Sequence, residues 1–145
     1  MQEALKLAEA AHIMDEVPIG CVIVHNDKII GTGHNLRNTR KNTLYHAEII
    51  AIDAASKHID DWRLENCTMY VTIEPCPMCA GAILQARIPR LVYGAASPKA
   101  GAVGSIINLL ENPAFNHQVQ ITTGVLGAEC SAIVSNFFQK SRARL

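Results

Sequence analysis

Apolar and polar positions along this 145-residue chain fall into alternating blocks of helical and strand character. Residues 2–14 are Ala-rich and favour a helix, which Pro18 brings to an end. Two runs rich in β-branched residues follow, Gly20-Cys21-Val22-Ile23-Val24-His25 and Lys28-Ile29-Ile30-Gly31-Thr32. They flank Asn26-Asp27, which predicts a tight hairpin turn. The polar stretch 35–44 reads as a loop. Residues 45–57 predict a helix with apolar spacing from Ile49, Ile50, Ile52 and Ala55. Met69-Tyr70-Val71-Thr72-Ile73 predicts a buried strand. Pro75 stands where a helix can begin, and residues 76–86 suit a closely packed helix of small residues. Leu91-Val92-Tyr93-Gly94 predicts another short strand, Ala95 to Gly104 a loop, and Val119-Gln120-Ile121-Thr122 a weaker strand. Cys130, Ile133, Val134, Phe137 and Phe138 recur at helical spacing and give the last helix one apolar face. Strands alternating with helices imply a sheet covered by helices, an α/β sandwich, built as a single domain over residues 1–145.

Composition narrows the class. Hydrophobic residues make up 49% and charged residues 18%, which excludes a disordered chain. Lys and Arg number 13 against 13 Asp and Glu, so the formal net charge is +0 and binding by bulk positive charge is excluded. The mixed charges of Met1 to Lys6 make no secretory signal, and no apolar run approaches the roughly 18 residues of a membrane helix. A cytoplasmic protein is expected. Five cysteines without an export signal suggest reduced thiols, metal ligands or catalytic groups rather than a disulfide framework. Cys21, Cys67 and Cys130 are most simply buried packing residues.

Two segments carry candidate chemistry. His46-Ala47-Glu48 opens one predicted helix and Pro75-Cys76-Pro77-Met78-Cys79 opens the next. Cysteines three apart at a helix start lie about one turn apart, so both sulfurs can reach one ion. Two thiolates and an imidazole suit tetrahedral zinc, and three protein ligands leave a fourth position for water, the catalytic pattern. Glu48 lies roughly 200° around an ideal helix from His46, poorly placed as a neighbouring ligand but able to border the metal cavity. A carboxylate there can take a proton from water and pass it to a substrate nitrogen and the departing amine. Two other readings stay open: a structural zinc site completed by Cys67, Cys21 or another His, and a redox Cys-x-x-Cys pair. The joint pattern, His-x-Glu and then Pro-Cys-x-x-Cys some thirty residues on, is the signature of zinc nucleobase deaminases.

Further segments extend that likeness over nearly the whole chain. Glu16-Val17-Pro18-Ile19-Gly20, Gly33-His34-Asn35, Tyr45-His46-Ala47-Glu48 and Tyr70 through Ala82 resemble the bacterial tRNA-specific adenosine deaminases. Lys99 through Ser105, Asn116-His117 and Phe137-Phe138 do likewise. The resemblance implies a cytidine deaminase-like, three-layer α/β/α sandwich with a mixed sheet and helices on both faces. It implies a homodimer, one zinc per chain, and deamination of the wobble adenosine of a tRNA anticodon stem-loop to inosine. Carried over residue by residue, His46, Cys76 and Cys79 would hold zinc and Glu48 would be the proton shuttle. Asn35 would contact the flipped nucleotide and Val17 would help line its pocket. A turn role for Asn35 and ordinary packing for Val17 are the competing readings.

Two acid-free basic clusters are candidate RNA contacts: Arg37, Arg40 and Lys41, and Lys140, Arg142 and Arg144. Plain solvated surface is the competing reading for both. Phe137 and Phe138 also fit the core face of the last helix, so at most one of them should be free to stack on a base. The chain departs from the family at Ser97, where an acidic residue is common, and at Asn42-Thr43-Leu44, where Asp-Pro-Thr is common. Its first helix also looks short. The alternatives are a deaminase of a free base or nucleotide, such as guanine or cytosine, and an RNA-binding module with a structural zinc.

Overall fold

The computed structural model describes residues 1–144. Its elements, in chain order, are α1 (Gln2–Ile13), β1 (Gly20–His25), β2 (Lys28–His34), α2 (Arg37–Arg40), α3 (Ala47–Ile59), β3 (Cys67–Ile73), α4 (Pro77–Gln85), β4 (Arg90–Ala95), β5 (Gln120–Thr123) and α5 (Gly127–Ala143). The strands form one mixed sheet in the order β2-β1-β3-β4-β5. β1 pairs antiparallel with β2 and β3, while β3–β4 and β4–β5 run parallel. The β1–β2 turn is made by Asn26 and Asp27, both in the left-handed region (φ 49° and 62°), as a two-residue hairpin of right-handed twist requires.

Helices cover both faces. α1 and α5 touch each other and pack on β1 and β4, and α3 and α4 occupy the opposite face. The alternation of side chains along β1 separates the two layers. Cys21 and Ile23 join Met69, Val71, Leu91 and Tyr93 in the core beneath α3 and α4. Gly20, pointing the other way, meets the backbone of α1. The cytidine deaminase-like sandwich expected from the resemblance is the fold observed.

Small residues hold the layers close. α1 buries Ala4, Ala8 and Ala11, and α3 buries Ala47, Glu48, Ala51 and Ala55. This corrects the sequence expectation for α3: Ile49, Ile50 and Ile52 are only half-buried, and the alanines make the contact. The reason lies in β2. A Cβ at Gly31 would sit 2.4 Å from the Ala51 carbonyl oxygen, and one at Gly33 would sit 2.3 Å from that of Ala47. Backbone touches backbone here, and a branched residue has no room.

Other boundaries shift for local reasons. α1 stops at Ile13, and Asp15 turns the chain through φ 61°, so Pro18 does not terminate it. The stretch 35–44 is not wholly loop, because Arg37–Arg40 form one helical turn ended by Lys41 at φ 51°. Pro77, not Pro75, holds the first position of α4, where its missing N–H has no partner to lose. On α5 only Cys130 and Phe137 are buried, so its apolar face is narrower than the spacing suggested. Cys21, Cys67 and Cys130 are buried free thiols, as expected. Among the described residues no helix is long and apolar enough to cross a membrane.

The close α3–β2 contact makes a test. Gly33→Ala should lower stability by about 1–3 kcal/mol through overpacking. Urea unfolding measures this, and an unchanged midpoint would mean that α3 is free to move outward.

Candidate active site

α3 and α4 begin side by side. His46 is the extended N-cap of α3 (φ −78°, ψ 152°) and Cys76 that of α4 (φ −75°, ψ 174°), with Cys79 in the first turn beyond it. Standing outside the helical spiral, His46 turns its ring toward the start of the neighbouring helix. Its Nδ1 lies 3.6 Å from Cys76 Sγ and 3.5 Å from Cys79 Sγ. A tetrahedral ion with ordinary Zn–N and Zn–S bonds sets an N···S edge of roughly 3.6 Å. Both N···S separations therefore match what one zinc ion requires, and all three donor atoms lie within 4.8 Å of one another. Among the described residues they are the one group of three or more candidate ligands within reach of a common ion. Cys21 and Cys67 do not join them, so the four-protein-ligand site is not what this structure builds.

The charges around the cluster follow from its contacts. The Cys79 thiol, donating to Cys76, brings Cys76 down to about 4; burial opposes this and the His46 ring adds to it. The same contact, followed by burial, pushes the Cys79 thiol far up. The contact with Cys76 also raises His46, against burial. Glu48 is 4% exposed, and burial raises it to about 7, with the Cys76 charge contributing. Two helix N-termini aimed at one point favour thiolates there.

A cavity of about 260 Å³ opens beside this cluster. His46, Glu48 and Cys76 face into it, and Glu48 and the open flank of the ligand group share the space. Val17, Ile19 and Asn35 line one side, and Ser97 and Ala100 another. The turn role of Asn35 is observed, and its side chain also lines the cavity. Its Oδ1 accepts from Arg37 N (3.0 Å) and its Nδ2 donates to the Val17 carbonyl (3.2 Å). One lone pair and one N–H remain for a ligand. Phe138 borders the cavity at 43% exposure while Phe137 is 9% exposed, so one of the pair is free.

The two basic clusters separate. Arg37 lines the cavity, and Arg40 and Lys41 are exposed on the same short loop, with the Arg40 guanidinium 5.7 Å from the centre of the Tyr45 ring. Lys140 instead borders a depression between α1 and α5 with Glu9 and His12. Arg142 is exposed outside the cavity lining, and Arg144 pairs with Asp15 at 2.9 Å. The C-terminal cluster is acid-free only along the sequence.

Two buried carboxylates stand outside the roles that the sequence pattern assigns. Fully buried Glu16 accepts from Asn38 N (3.1 Å) and Thr39 N (2.6 Å), tying the segment before β1 to the basic loop. Glu74, 4% exposed, accepts from the loop bearing Ser97. For Glu74 the available signal was an acid between Ile73 and Pro75 at a strand end, whereas Glu16 follows Asp15 and carries no such signal.

This sandwich, with a His-Cys-Cys cluster and a buried Glu in one cavity, is the arrangement of a nucleobase deaminase. A model of the MafB19-like deaminase family matches residues 1–142. The chain is 48% identical over 144 residues to the tRNA-specific adenosine deaminase of Bacillus subtilis (strain 168), covering 99% of this chain and 89% of that one. A solved tRNA:A34 deaminase, studied for A-to-I editing at the wobble position, superposes with a TM-score of 0.88 at 40% identity, over 92% of this chain and 96% of that one. A guanine deaminase from Nitrosomonas europaea shares the fold (TM-score 0.78, 24% identity, 94% and 81% covered). The chain belongs to the tRNA-specific adenosine deaminase family.

Glu16 gives a pH test. Burial works to raise its carboxyl, but the Thr39 and Asn38 donors prevail and lower it below 4.5. A depressed carboxylate stabilises the fold above the unfolded pKa, and the contribution is lost as pH falls through the folded value. Glu16→Gln should therefore cost about 1–3 kcal/mol at pH 7, and its gap to wild type should narrow below pH 4.5. Urea midpoints across pH check this; a gap that does not change with pH would contradict it.

Proposed function

We propose that this chain hydrolyses adenosine to inosine at the wobble position of tRNA anticodons, binding one zinc ion through His46, Cys76 and Cys79. The observation that carries the reading is the convergence of these three donors, two of which, His46 and Cys76, line a single cavity together with buried Glu48. The 48% identity to a tRNA-specific adenosine deaminase supports the substrate. A zinc ion held by these residues would supply a Lewis acid that lowers the pKa of water, so that it gives up a proton at neutral pH. Glu48 takes a proton from the attacking water and delivers it to N1 of the adenine ring. It then carries the second proton to the departing amine, so that adenosine and water yield inosine and ammonia. Asn35 orients the flipped nucleoside with its free donor and acceptor, and Val17 packs against it. Phe138 offers a stacking surface at the mouth.

Arg37, Arg40 and Lys41 hold the anticodon-loop phosphates beside the cavity, and Lys140 and Arg142 extend the contact at the rim of α5. Residues 1–145 act as one deaminase domain in the cytoplasm, where its tRNA substrate would be met. A homodimer is supported by exposed Ile106, Ile107 and Phe115, and by a depression on α4 lined by Gly81, Leu84 and Leu109.

Three experiments test the reading. Glu48→Ala should retain one zinc per chain while inosine formation on an anticodon stem-loop drops about 10²- to 10⁴-fold. Near-normal turnover would refute the proton-shuttle role. Wild-type protein that binds zinc but converts only guanine, cytosine or free adenosine would refute the tRNA substrate. Neutralising Arg37, Arg40 and Lys41 to Gln should weaken stem-loop binding and flatten its salt dependence, by about 0.7 in log–log slope for each phosphate no longer held. An unchanged slope returns this loop to plain solvated surface.

A further inference from the structure

Glu74 sits between the end of β3 and Cys76, and its carboxylate is saturated. Oε1 accepts from Ser97 N (3.0 Å) and the Ser105 hydroxyl, and Oε2 accepts from Val103 N (2.9 Å) and Ser105 N (3.1 Å). Two donors on each oxygen leave little acceptor capacity for a substrate or for proton transfer. These are the properties of a group that fixes other groups in place, and they set Glu74 apart from Glu48.

The donors come from an irregular segment. Residues 97–105 hold no helix or named strand, yet Ser97 and Ala100 form a wall of the cavity. The segment folds around the carboxylate: a Cβ at Gly101 would lie 2.3 Å from the Glu74 carboxyl carbon, so only glycine fits there. Adjacent backbone reinforces the attachment. Glu74 N donates to the Ala95 carbonyl (2.9 Å), and Ala102 N donates to that of Pro75 (2.8 Å). The wall is thereby fastened to the strand end that leads directly into the Cys76 cap of α4.

We propose that Glu74 is a positioning residue that sets the distance of the Ser97–Ala100 wall from the bound nucleotide, so that it governs substrate binding more than the chemical step. The proposal rests on the adenosine-deaminating reading of the same cavity. Its physical basis is a division of supports. His46, Glu48, Cys76 and Cys79 are held by the starts of α3 and α4, whereas the Ser97–Ala100 wall is held by the Glu74 carboxylate together with the Ala102 N–H to Pro75 carbonyl bond. Loosening the wall should leave the reacting groups where they are.

Glu74→Gln keeps a carbonyl oxygen for the Val103 and Ser105 amides and sets its NH2 at the Oε1 position. There it can donate to the Ser105 hydroxyl but meets the Ser97 N–H donor to donor, so one of the four hydrogen bonds is lost and the carboxylate charge with it. On an anticodon stem-loop, KM should rise about tenfold, with kcat within about threefold of wild type and zinc at one per chain. The Ser97 amide should exchange with solvent faster. Ser105→Ala, which removes one donor and no charge, should raise KM about two- to threefold and serves as the test if Glu74→Gln does not fold. Faster amide exchange with unchanged KM would overturn the proposal, as would an equal loss of zinc or a fall in kcat alone. A wild-type protein that makes no inosine from the stem-loop would instead remove the reading on which the proposal rests.

Discussion

Everything at this site depends on bringing the N-termini of two helices to within a hydrogen-bond length of each other. His46 Nδ1 must lie 3.5–3.6 Å from both sulfurs, although it caps α3 and they belong to α4. That spacing permits no spreading of the helices from the sheet, and it explains the composition of the layer beneath them. Gly31 and Gly33 on β2 face Ala47, Ala51 and Ala55 on α3, and the contact is made by backbone atoms. Larger apolar residues would bury more surface but would move His46 away from the cysteines. The alanine-lined interface trades apolar area for position.

The same end of the sheet buries three glutamates, and their surroundings assign them different work. Glu16 and Glu74 are met by backbone N–H groups and, for Glu74, a hydroxyl; neither has a salt-bridge partner among the described residues. Donors of this kind favour the ionised form and lower both carboxyls despite burial. Glu48 has no such set of donors, and burial raises it to about 7. Two carboxylates fasten loops that line the cavity, and the third is held nearer the neutral form by its burial. Pairs of acids driven apart by environment are how one fold separates structural from chemical roles.

The elements with strong local periodicity were legible in the sequence: α1, the β1–β2 hairpin, β3, β4 and α5. The clustering of His46, Cys76 and Cys79 was legible too, because two cysteines one turn apart at a helix start can meet a histidine at the start of the neighbouring helix. What escaped was set by tertiary contact. The buried face of α3 is alanine because glycines stand opposite, which no periodicity in α3 itself reveals. α2 is a single turn, held by Glu16 from twenty-two residues away. Glu74 gathers donors up to thirty-one residues downstream, and a polar loop gives no local sign that one buried carboxylate shapes it.

The neutral charge total likewise hid an arrangement that only the fold resolves. Two basic clusters that look equivalent along the chain are unequal in space. Arg144 is paired with Asp15, and Lys140 shares its depression with Glu9. Arg37, by contrast, lies in the cavity wall, on a turn whose backbone is held by Glu16 and Asn35. Two acids and an amide within the protein thus bear on where positive charge is available, because Glu16 and Asn35 fix the loop that presents Arg37 while Asp15 engages Arg144. A chain of zero net charge can hold an anionic ligand at one point because its remaining bases are balanced or dispersed elsewhere. The local field, rather than the sum, is what a folded RNA loop meets.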